Sequence, residues 1–325
     1  MAPEKKALVI GCQGQDGSLL CNSLLRKNFT VIGGCRNTEK QSKNHVMLGI
    51  DKDVQIQRCD INDSENILNI ISNERPDQIY NLAAQSSVGV SFNNPEETIN
   101  TIVNGTLNIL ESCKKIGYEG DIFFAGSSEI FGQTDIAADI NHKHSPSSPY
   151  AIAKQSSFNL VKLYREIYNL QCKTGILFNH ESPLRNERFV THKIISGAIK
   201  CMKDRNHKLE MGNINIYRDW GWAEEYVEAF QLMNSRTNNN DHIICTGKLT
   251  KLRDFIAITF DKLNLNFHDH IIINPKYIRK KEIIRSFGDP APFFNKFQWQ
   301  TKLQISEIID NLIEAKLKKG SIVNF

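Results

Sequence analysis

The segment that most restricts the possible folds of this 325-residue chain lies close to its start. Residues 7–10 form an apolar run with the length and composition of a strand buried on both faces. Gly11, Gly14 and Gly17 follow, and then a segment with leucines at helical spacing. This order predicts a dinucleotide-binding unit, because glycine lets the backbone approach a pyrophosphate and the helix N-terminus supplies N–H donors.

Apolar segments continue to alternate with segments of helical periodicity through the first half of the chain. Strands joined by helices pair in parallel, because the crossover helix returns the chain to the same end of the sheet. The pattern therefore predicts an α/β fold with a doubly wound parallel (Rossmann) sheet. Beyond the first strand, the predicted strands are at residues 31–34, 54–56, 78–82 and 122–125, and the predicted helices are near 67–71, at 100–116 and after Pro149.

The alternation weakens beyond residue 178, where short elements become frequent, although a strand is still predicted at 242–247. We therefore assign residues 1–178 to a dinucleotide-binding domain, to which segments near 214–248 return. Residues 179–325 are assigned mainly to a smaller C-terminal substrate-binding domain. No linker separates the two, so we expect the site to lie in the cleft between closely packed lobes.

The composition excludes several functional classes. Apolar residues make up 40% and charged residues 23% of the chain, as in soluble globular proteins. A net charge of +4 is too small to indicate nucleic-acid binding. The eight cysteines lack metal-ligand spacing, which predicts reduced thiols, no bound metal and a cytoplasmic location. The first apolar run is too short for a membrane span or signal peptide, so no membrane association is expected.

The end of the second strand bears on the choice between NAD and NADP. NAD-binding chains often carry Asp or Glu there, whereas this chain has Arg36, which can pair with the 2′-phosphate of NADP. The sequence therefore favours NADP. Arg36 can equally be a solvated surface cation and Glu39 is close, so NAD remains the alternative. Asp60 and Ile61 end the next strand, where Asp60 can either reach the adenine or cap the following turn.

Tyr150 and Lys154 are four residues apart, after a proline that predicts the start of a helix. This spacing places both side chains on one helical face. An ammonium beside a phenol favours the phenolate, so the pair is an acid/base unit suited to a hydroxyl or a carbonyl. Taken alone, the same spacing also occurs on helices without a catalytic role.

Ser127 and Glu129 follow the strand at 122–125, at the edge of the sheet where ligands bind. Ser127 can donate a hydrogen bond to a substrate oxygen beside Tyr150. Glu129 can act as a second proton carrier on a neighbouring carbon. The alternative is a purely structural role, in which Ser127 caps a short helix and Glu129 lies in its first turn. Together with Tyr150 and Lys154, these residues favour catalysis.

The glycine spacing and the Ser…Tyr-x-x-x-Lys arrangement resemble the extended short-chain dehydrogenase/reductase family. Within it, five segments resemble the GDP-mannose 4,6-dehydratases, and the likeness covers nearly the whole chain. Asn-His-Glu-Ser-Pro at 179–183 and Arg-Asp-Trp-Gly at 218–221 are far more specific than the glycines. The other segments lie at 14–18, 82–92 and 189–191.

The resemblance implies a lyase that acts on a GDP-hexose, with GDP-mannose as the leading substrate. Tyr150, aided by Lys154, would take the proton of the sugar 4-hydroxyl while hydride passes from C4 to NADP. Glu129 would remove the C5 proton, the 6-hydroxyl would leave as water, and hydride would return to C6. The alternatives are another substrate (GDP-N-acetylglucosamine or a GDP-heptose), an epimerase or reductase of the same fold, or a non-catalytic dinucleotide sensor.

The resemblance also implies which residues bind each ligand, and it implies a homodimer or homotetramer with the Tyr150 helix at a dimer interface. The implied cofactor-binding residues are Gly11, Gln13, Gly14, Gln15, Asp16, Gly17, Arg36, Asp60, Ile61, Leu82, Ala83, Ala84, Ser86, Lys154, His180 and Arg185. The implied substrate-binding residues are Asn179, Val190, Lys193, Arg218, Arg279 and Glu282.

The chain departs from the family at several positions. Ser127 stands where Thr is more common, which keeps the hydroxyl. Asn37 replaces a second Arg, and Glu97 stands where a cofactor-contacting Tyr is usual. The stretch between Arg36 and Asp60 is shorter than in the family. The shorter stretch and Asn37 leave open the choice between NADP and NAD and between dimer and tetramer. Trp222, in place of a common His, leaves the identity of the sugar open.

Overall fold

The computed structural model describes residues 5–235, 239–278 and 281–318. Its strands, in chain order, are β1 Lys6–Ile10, β2 Thr30–Cys35, β3 Gln55–Arg58, β4 Gln78–Asn81, β5 Asp121–Ala125, β6 Cys172–Leu177, β7 Asn179–Glu181, β8 Leu209–Met211, β9 Tyr217–Arg218, β10 Trp220–Trp222, β11 His242–Ile244, β12 Thr250–Lys251, β13 Ile271–Ile273 and β14 Arg285–Ser286.

The helices connect these strands. They are α1 Gln15–Arg26, α2 Lys43–Leu48, α3 Ser64–Glu74, α4 Val88–Asn93, α5 Pro95–Ile99, α6 Gly105–Lys115, α7 Pro149–Tyr168, α8 Val190–Lys203, α9 Ala223–Met233, α10 Leu252–Asp261, α11 Ala291–Phe297 and α12 Ile305–Leu317. None of the helices in this described part of the chain is long and apolar enough to cross a membrane.

Seven parallel strands form the central sheet in the order β11-β6-β5-β4-β1-β2-β3. The chain winds outward from β1 in both directions, so the strand order reverses between β1 and β4. Ligands of doubly wound sheets bind beyond the carboxyl ends of the strands at such a reversal. The predicted fold class is confirmed, and the sheet directs the segments after β1, β2, β4 and β5 to one edge.

Both faces of this sheet are covered by helices. On one face, α1 and α9 pack against alternate residues of the strands, such as Val9 and Phe123. On the other face, α3, α6 and α7 cover Leu8, Ile122 and their neighbours. Burial on both faces explains why the strands read as continuous apolar runs.

A separate core holds the C-terminal elements together. There, α8, α10 and α12 pack around Trp220, Trp222 and Leu209. The closing helix α12 turns Ile308, Ile309 and Leu312 into this core, as their spacing indicated. Small sheets extend the same region, since β8 pairs with β13, β9 lies between β12 and β14, and β7 pairs with β10.

The helix predicted at 100–116 begins earlier than its periodicity indicated. Pro95 occupies the first turn of α5, a π-helical segment follows at Asn100–Asn104, and α6 continues the helix to Lys115. Gly105 lies at the junction, where an added Cβ would be 2.6 Å from Cγ1 of Ile61. A π-helical turn inside a helix is not visible as a change of apolar spacing, so the sequence pattern did not reveal it.

A buried ion pair lies at the amino ends of β5 and β6, opposite the edge where ligands bind. The Lys173 ammonium is fully buried and donates to Asp121 Oδ1 at 2.7 Å. We expect Asp121→Ala to lower the free energy of unfolding by about 3–5 kcal/mol, because it leaves an unpaired charge in the core. Urea denaturation measures this loss.

The matched control for that prediction is Glu314→Ala, which removes one partner of the exposed ion pair with Lys318 at the end of α12. An exposed pair is worth about 0–1 kcal/mol, so this variant should unfold close to the wild type. Equal losses in the two variants would contradict the structural role assigned to the buried pair.

Candidate active site

The glycine turn after β1 is tightly packed. Gly11 has φ of +87°, and a Cβ added there would lie 2.8 Å from the backbone N of Ala83. A Cβ on Gly17 would lie 2.2 Å from the carbonyl oxygen of Gly11. Only glycine fits at these two positions. Gly14 is the N-cap of α1 and no side chain caps this helix end, so the first N–H groups of α1 face the turn.

The segment after β4 lies directly against this turn. Leu82 N donates to Ile10 O at 2.9 Å, which continues the pairing with β1. The structure thus brings the predicted cofactor residues Leu82 and Ala83 against the glycine turn, and Ala84 and Ser86 follow them in the chain.

The residues that follow β2 and β3 have different surroundings. Arg36 is 66% exposed, and its Nη1 lies 4.0 Å from Oε1 of Glu97. Asp60 Oδ1 accepts a hydrogen bond from Asn62 N at 3.1 Å, so the local turn that the sequence allowed for Asp60 is present. The helix that follows is capped by Asp63 instead. The charges of Arg36 and Glu97 are both exposed.

Asp16 and His180 contact each other, which their separate positions in the sequence did not reveal. Asp16 Oδ2 lies 3.0 Å from His180 Nε2, and Gln15 Nε2 donates to Asp16 Oδ1 at 2.9 Å. Phe178 O accepts from His180 Nδ1 at 2.7 Å. Burial opposes ionisation of Asp16, but His180, Gln15 and Arg185 outweigh it and lower the pKa of this carboxyl. The pair joins the glycine turn to the segment after β6.

Tyr150 and Lys154 lie on the first two turns of α7. Ser148 caps this helix by accepting from Ala151 N at 3.1 Å, and Pro149 occupies the first turn. Lys154 Nζ donates to the carbonyl oxygen of Ala125 at 2.7 Å and lies 5.8 Å from the centre of the Tyr150 ring. Both side chains are buried. The end of β5 therefore fixes the ammonium beside the phenol.

Burial dominates the acid–base properties of this pair. It raises the pKa of Tyr150 to about 12, against the hydrogen bond from Ser127, while the Glu129 charge raises the pKa further and that of Arg185 lowers it. Burial also lowers the pKa of Lys154 to about 8, against the charge of Asp16. The spacing of Tyr150 and Lys154 predicted that the ammonium would loosen the hold on the phenol proton. Loss of hydration has the larger effect, so the protein alone holds a neutral phenol.

Ser127 has the local capping role that the sequence allowed, and its role toward a substrate oxygen stays a prediction. Its Oγ accepts from Glu129 N at 3.3 Å and so caps the short 3₁₀ helix Ser128–Ile130. The same hydroxyl is close enough to Tyr150 to lower the pKa of its phenol, and the Glu129 charge raises that pKa. The structure therefore places a hydroxyl, a phenol, an ammonium and a carboxylate together after β5.

A cavity of about 10 Å³ lies behind Lys154. Polar side chains of Asn81, Thr106, Ser157 and Thr174 contribute to its lining. A space of this size holds about one water molecule. The Thr174 hydroxyl has no hydrogen-bond partner within the described residues. These side chains belong to strands and helices far apart in the chain, and no sequence motif indicated them.

The predicted substrate residues fall on the lobe formed by the C-terminal elements. Asn179 lies on β7, paired with Trp220, and Val190 is the first residue of α8. Lys193 Nζ donates to Glu210 O at 2.6 Å and lies 4.4 Å from the Tyr277 ring centre.

Two further predicted cations, Arg218 for the nucleotide sugar and Arg185 for the cofactor, differ from Lys193 in their surroundings. Arg218 is buried and donates from Nη1 to Ile283 O at 2.8 Å, and its Nη2 lies 3.8 Å from Oε1 of Glu282. Arg185 donates to His180 O at 2.6 Å and stacks 4.0 Å from the centre of the Phe189 ring. Arg279, a further predicted contact, lies outside the described residues.

The described residues contain no cluster of three or more His, Cys, Asp or Glu that could hold a metal ion. The parallel sheet, the glycine turn and the Ser–Tyr–Lys arrangement together define the short-chain dehydrogenase/reductase class of Rossmann proteins.

Comparison with known proteins resolves the family within this class. The profile of the GDP-mannose 4,6 dehydratase family matches residues 8–312. GDP-mannose 4,6 dehydratase 1 of Arabidopsis thaliana is 34% identical over 327 residues, which cover 97% of this chain and 91% of that protein. The GDP-mannose 4,6-dehydratase of Vibrio cholerae is 34% identical over 354 residues, covering 97% and 94%. The chain therefore belongs to the GDP-mannose 4,6-dehydratase family, and the predicted resemblance is confirmed.

A solved structure shows the same fold at lower identity. The dTDP-glucose 4,6-dehydratase of Streptomyces venezuelae, crystallised with NAD and TYD, superposes with a TM-score of 0.86. The match covers 97% of each chain at 18% sequence identity.

Proposed function

We propose that this chain is a hydro-lyase that converts GDP-mannose to a GDP-4-keto-6-deoxy sugar with a bound nicotinamide dinucleotide. Family membership over residues 8–312 supports the reaction type and the substrate. The observation that carries the proposal is Glu129, whose charge acts on Tyr150 in a site that also holds Ser127 and Lys154. Simple alcohol oxidation needs Tyr150, Ser127 and Lys154. Elimination also needs a base that removes a proton from carbon.

The residues around the glycine turn fit a dinucleotide. Gly11 and Gly17 leave no room for a side chain, so the backbone can approach a pyrophosphate. The uncapped N-terminus of α1 would bind its phosphates. The backbone after β4, together with Lys154, would hold the nicotinamide ribose, and His180 and Arg185 would close the far side. When bound, the nicotinamide accepts hydride from C4 of the sugar and later returns it to C6.

Tyr150 and Ser127 would act first, at the sugar 4-hydroxyl. Ser127 would hold the oxygen, and the Tyr150 phenolate would accept its proton. Because burial alone disfavours the phenolate, the ammonium of Lys154 must remain charged and close to stabilise it. The hydrogen bond to Ala125 O keeps this ammonium in position during the proton transfer.

Glu129 would act second. The new 4-ketone acidifies the C5 hydrogen, and the Glu129 carboxylate would remove that proton and deliver it to the departing 6-hydroxyl, which leaves as water. When hydride returns to C6, C5 must take up one proton. The proton that Tyr150 accepted from the 4-hydroxyl would supply it. Ser127, which affects the Tyr150 phenol and caps the turn of Glu129, would lie on the path between the two groups.

The C-terminal lobe would hold the nucleotide part of the substrate. No side chain caps α8, which begins at Val190, so its N–H groups favour an anion such as a diphosphate. Lys193 and Arg218 add positive charge in the same lobe, and Asn179 lies on the strand that leads into it. We also assign Glu282 and Arg279 to binding of the nucleotide sugar. Arg279 lies outside the described residues.

Mass spectrometry tests the proposed reaction. The protein is incubated with GDP-mannose, GDP-N-acetylglucosamine and a GDP-heptose in separate samples with NADP. Loss of one water from GDP-mannose is the expected result. If only another GDP-sugar lost water, that sugar would replace GDP-mannose as the proposed substrate. If none of the three sugars lost water while the cofactor was bound, the lyase assignment would be overturned.

We further propose that residues 1–178 with the segments near 214–248 form the dinucleotide-binding domain, and that the rest forms mainly the nucleotide-sugar domain. The separate core around α8, α10 and α12 supports this division. A cytoplasmic location is supported by the eight cysteines, which are all free thiols buried in the fold.

We also propose a homo-oligomer formed through α7. The outer face of this helix exposes apolar side chains, with Leu163 at 48% and Ile167 at 62% exposure. Exposed apolar surface of this kind marks interaction sites when it is contiguous.

The double substitution Leu163→Glu and Ile167→Glu is expected to convert the oligomer to a monomer, because it would bury charges at the interface. Sedimentation velocity measures the mass. The control is Ile136→Glu, which places the same charge at a 71% exposed position outside α7 and should leave the mass unchanged. A monomeric wild type, or equal dissociation in the control, would contradict this interface.

A further inference from the structure

Arg36 and Glu97 form an ion pair beside the predicted cofactor site. Arg36 directly follows β2, and Glu97 lies on α5 in the segment that follows β4. Strands β2 and β4 flank β1 in the sheet. The pair therefore links the segments on either side of the strand that leads into the glycine turn. The Nη1 to Oε1 distance is 4.0 Å, and the side chains are 66% and 61% exposed.

We propose that Glu97 is a cofactor-specificity residue that allows this chain to bind NAD as well as NADP. The inference rests on the proposed dinucleotide function of the glycine turn. It concerns the adenosine ribose, whose 2′ position carries a hydroxyl in NAD and a phosphate in NADP.

The geometry supplies a carboxylate that the sequence at the end of β2 lacks. NAD-binding Rossmann chains place Asp or Glu there, where it accepts a hydrogen bond from the ribose hydroxyl. Here the position after β2 is Arg36, and the carboxylate comes from α5 on the other side of β1. Glu97 can therefore accept from the 2′-hydroxyl of NAD, whereas the 2′-phosphate of NADP meets one attractive and one repulsive charge.

The side chain that follows Arg36 is engaged within its own turn. Asn37 Oδ1 accepts from the backbone N of Glu39 at 3.0 Å and of Lys40 at 3.3 Å, so this side chain caps its own turn. Arg36 is the sole cation within residues 35–39. An exposed ion pair is weak, so either cofactor can separate Arg36 from Glu97 at little cost.

Cofactor binding without any sugar tests the inference. Isothermal titration calorimetry gives the Kd of NADP and of NAD for the wild type, Glu97→Gln and Arg36→Met. Glu97→Gln is expected to raise the preference for NADP over NAD by roughly three- to tenfold, because one repulsive charge near the phosphate is removed. Arg36→Met should weaken NADP binding by about tenfold and leave NAD binding within about twofold.

The matched control is Glu96→Gln, the same charge change at the neighbouring exposed residue of α5. It should alter the preference by less than about twofold. Equal effects of Glu96→Gln and Glu97→Gln would overturn the specificity role while leaving the proposed function intact. A wild type that binds neither dinucleotide would overturn both.

Discussion

The Glu129→Gln variant is expected to lose dehydration by roughly 10²–10⁴-fold while binding the dinucleotide as the wild type does. The amide keeps the size of the side chain and the Ser127 cap, which involves only the backbone N of residue 129. It cannot accept the C5 proton. Mass spectrometry of the product measures elimination, and deuterium uptake at C5 in heavy water reports removal of that proton.

Asp135→Asn is the control for Glu129→Gln, since it neutralises an exposed carboxylate in the same loop region. Its activity should equal that of the wild type. The role of Glu129 as the elimination base would be contradicted if Glu129→Gln dehydrated GDP-mannose at full rate. It would equally be contradicted if the variant still exchanged the C5 hydrogen at the wild-type rate.

The second large effect is expected for Tyr150→Phe, which should lower the overall rate by roughly 10²–10⁴-fold at an earlier step. Phenylalanine fits the buried site, but it has no oxygen to accept the O4 proton. Oxidation at C4 should therefore stop, and no reduced nicotinamide should be detected by absorbance. Glu129→Gln, in contrast, should still oxidise C4, so the two variants separate the two halves of the reaction.

Tyr168→Phe removes a phenol oxygen from the far end of the same helix, where the residue is 45% exposed. This control should retain activity. If Tyr150→Phe reduced the nicotinamide as fast as the wild type, Tyr150 would not be the base for the 4-hydroxyl.

The features that the sequence predicted are those set by local spacing. The apolar run of β1, the glycine turn and the leucines of α1 occupy consecutive positions, so the βα unit could be recognised directly. Tyr150 and Lys154 share a helical face because they are one turn apart. The alternation of strands and helices likewise predicted the parallel sheet.

The features that the sequence did not reveal depend on distant contacts. His180 and Asp16 are 164 residues apart and meet only when the segment after β6 returns to the glycine turn. Lys154 is anchored by the carbonyl oxygen of Ala125, an atom that every residue has and no motif marks. The raised pKa of Tyr150 arises from burial, which a list of neighbouring charges does not contain.

The fate of the C4 hydrogen tests the central claim most directly. GDP-mannose labelled with deuterium at C4 is incubated with the protein and NADP, and the product is examined by NMR and mass spectrometry. The account predicts loss of one water and deuterium in the C6 methyl group, because hydride leaves C4 and returns to C6 within one site. Loss of deuterium to solvent, or its appearance in released dinucleotide with the 6-hydroxyl intact, would contradict it.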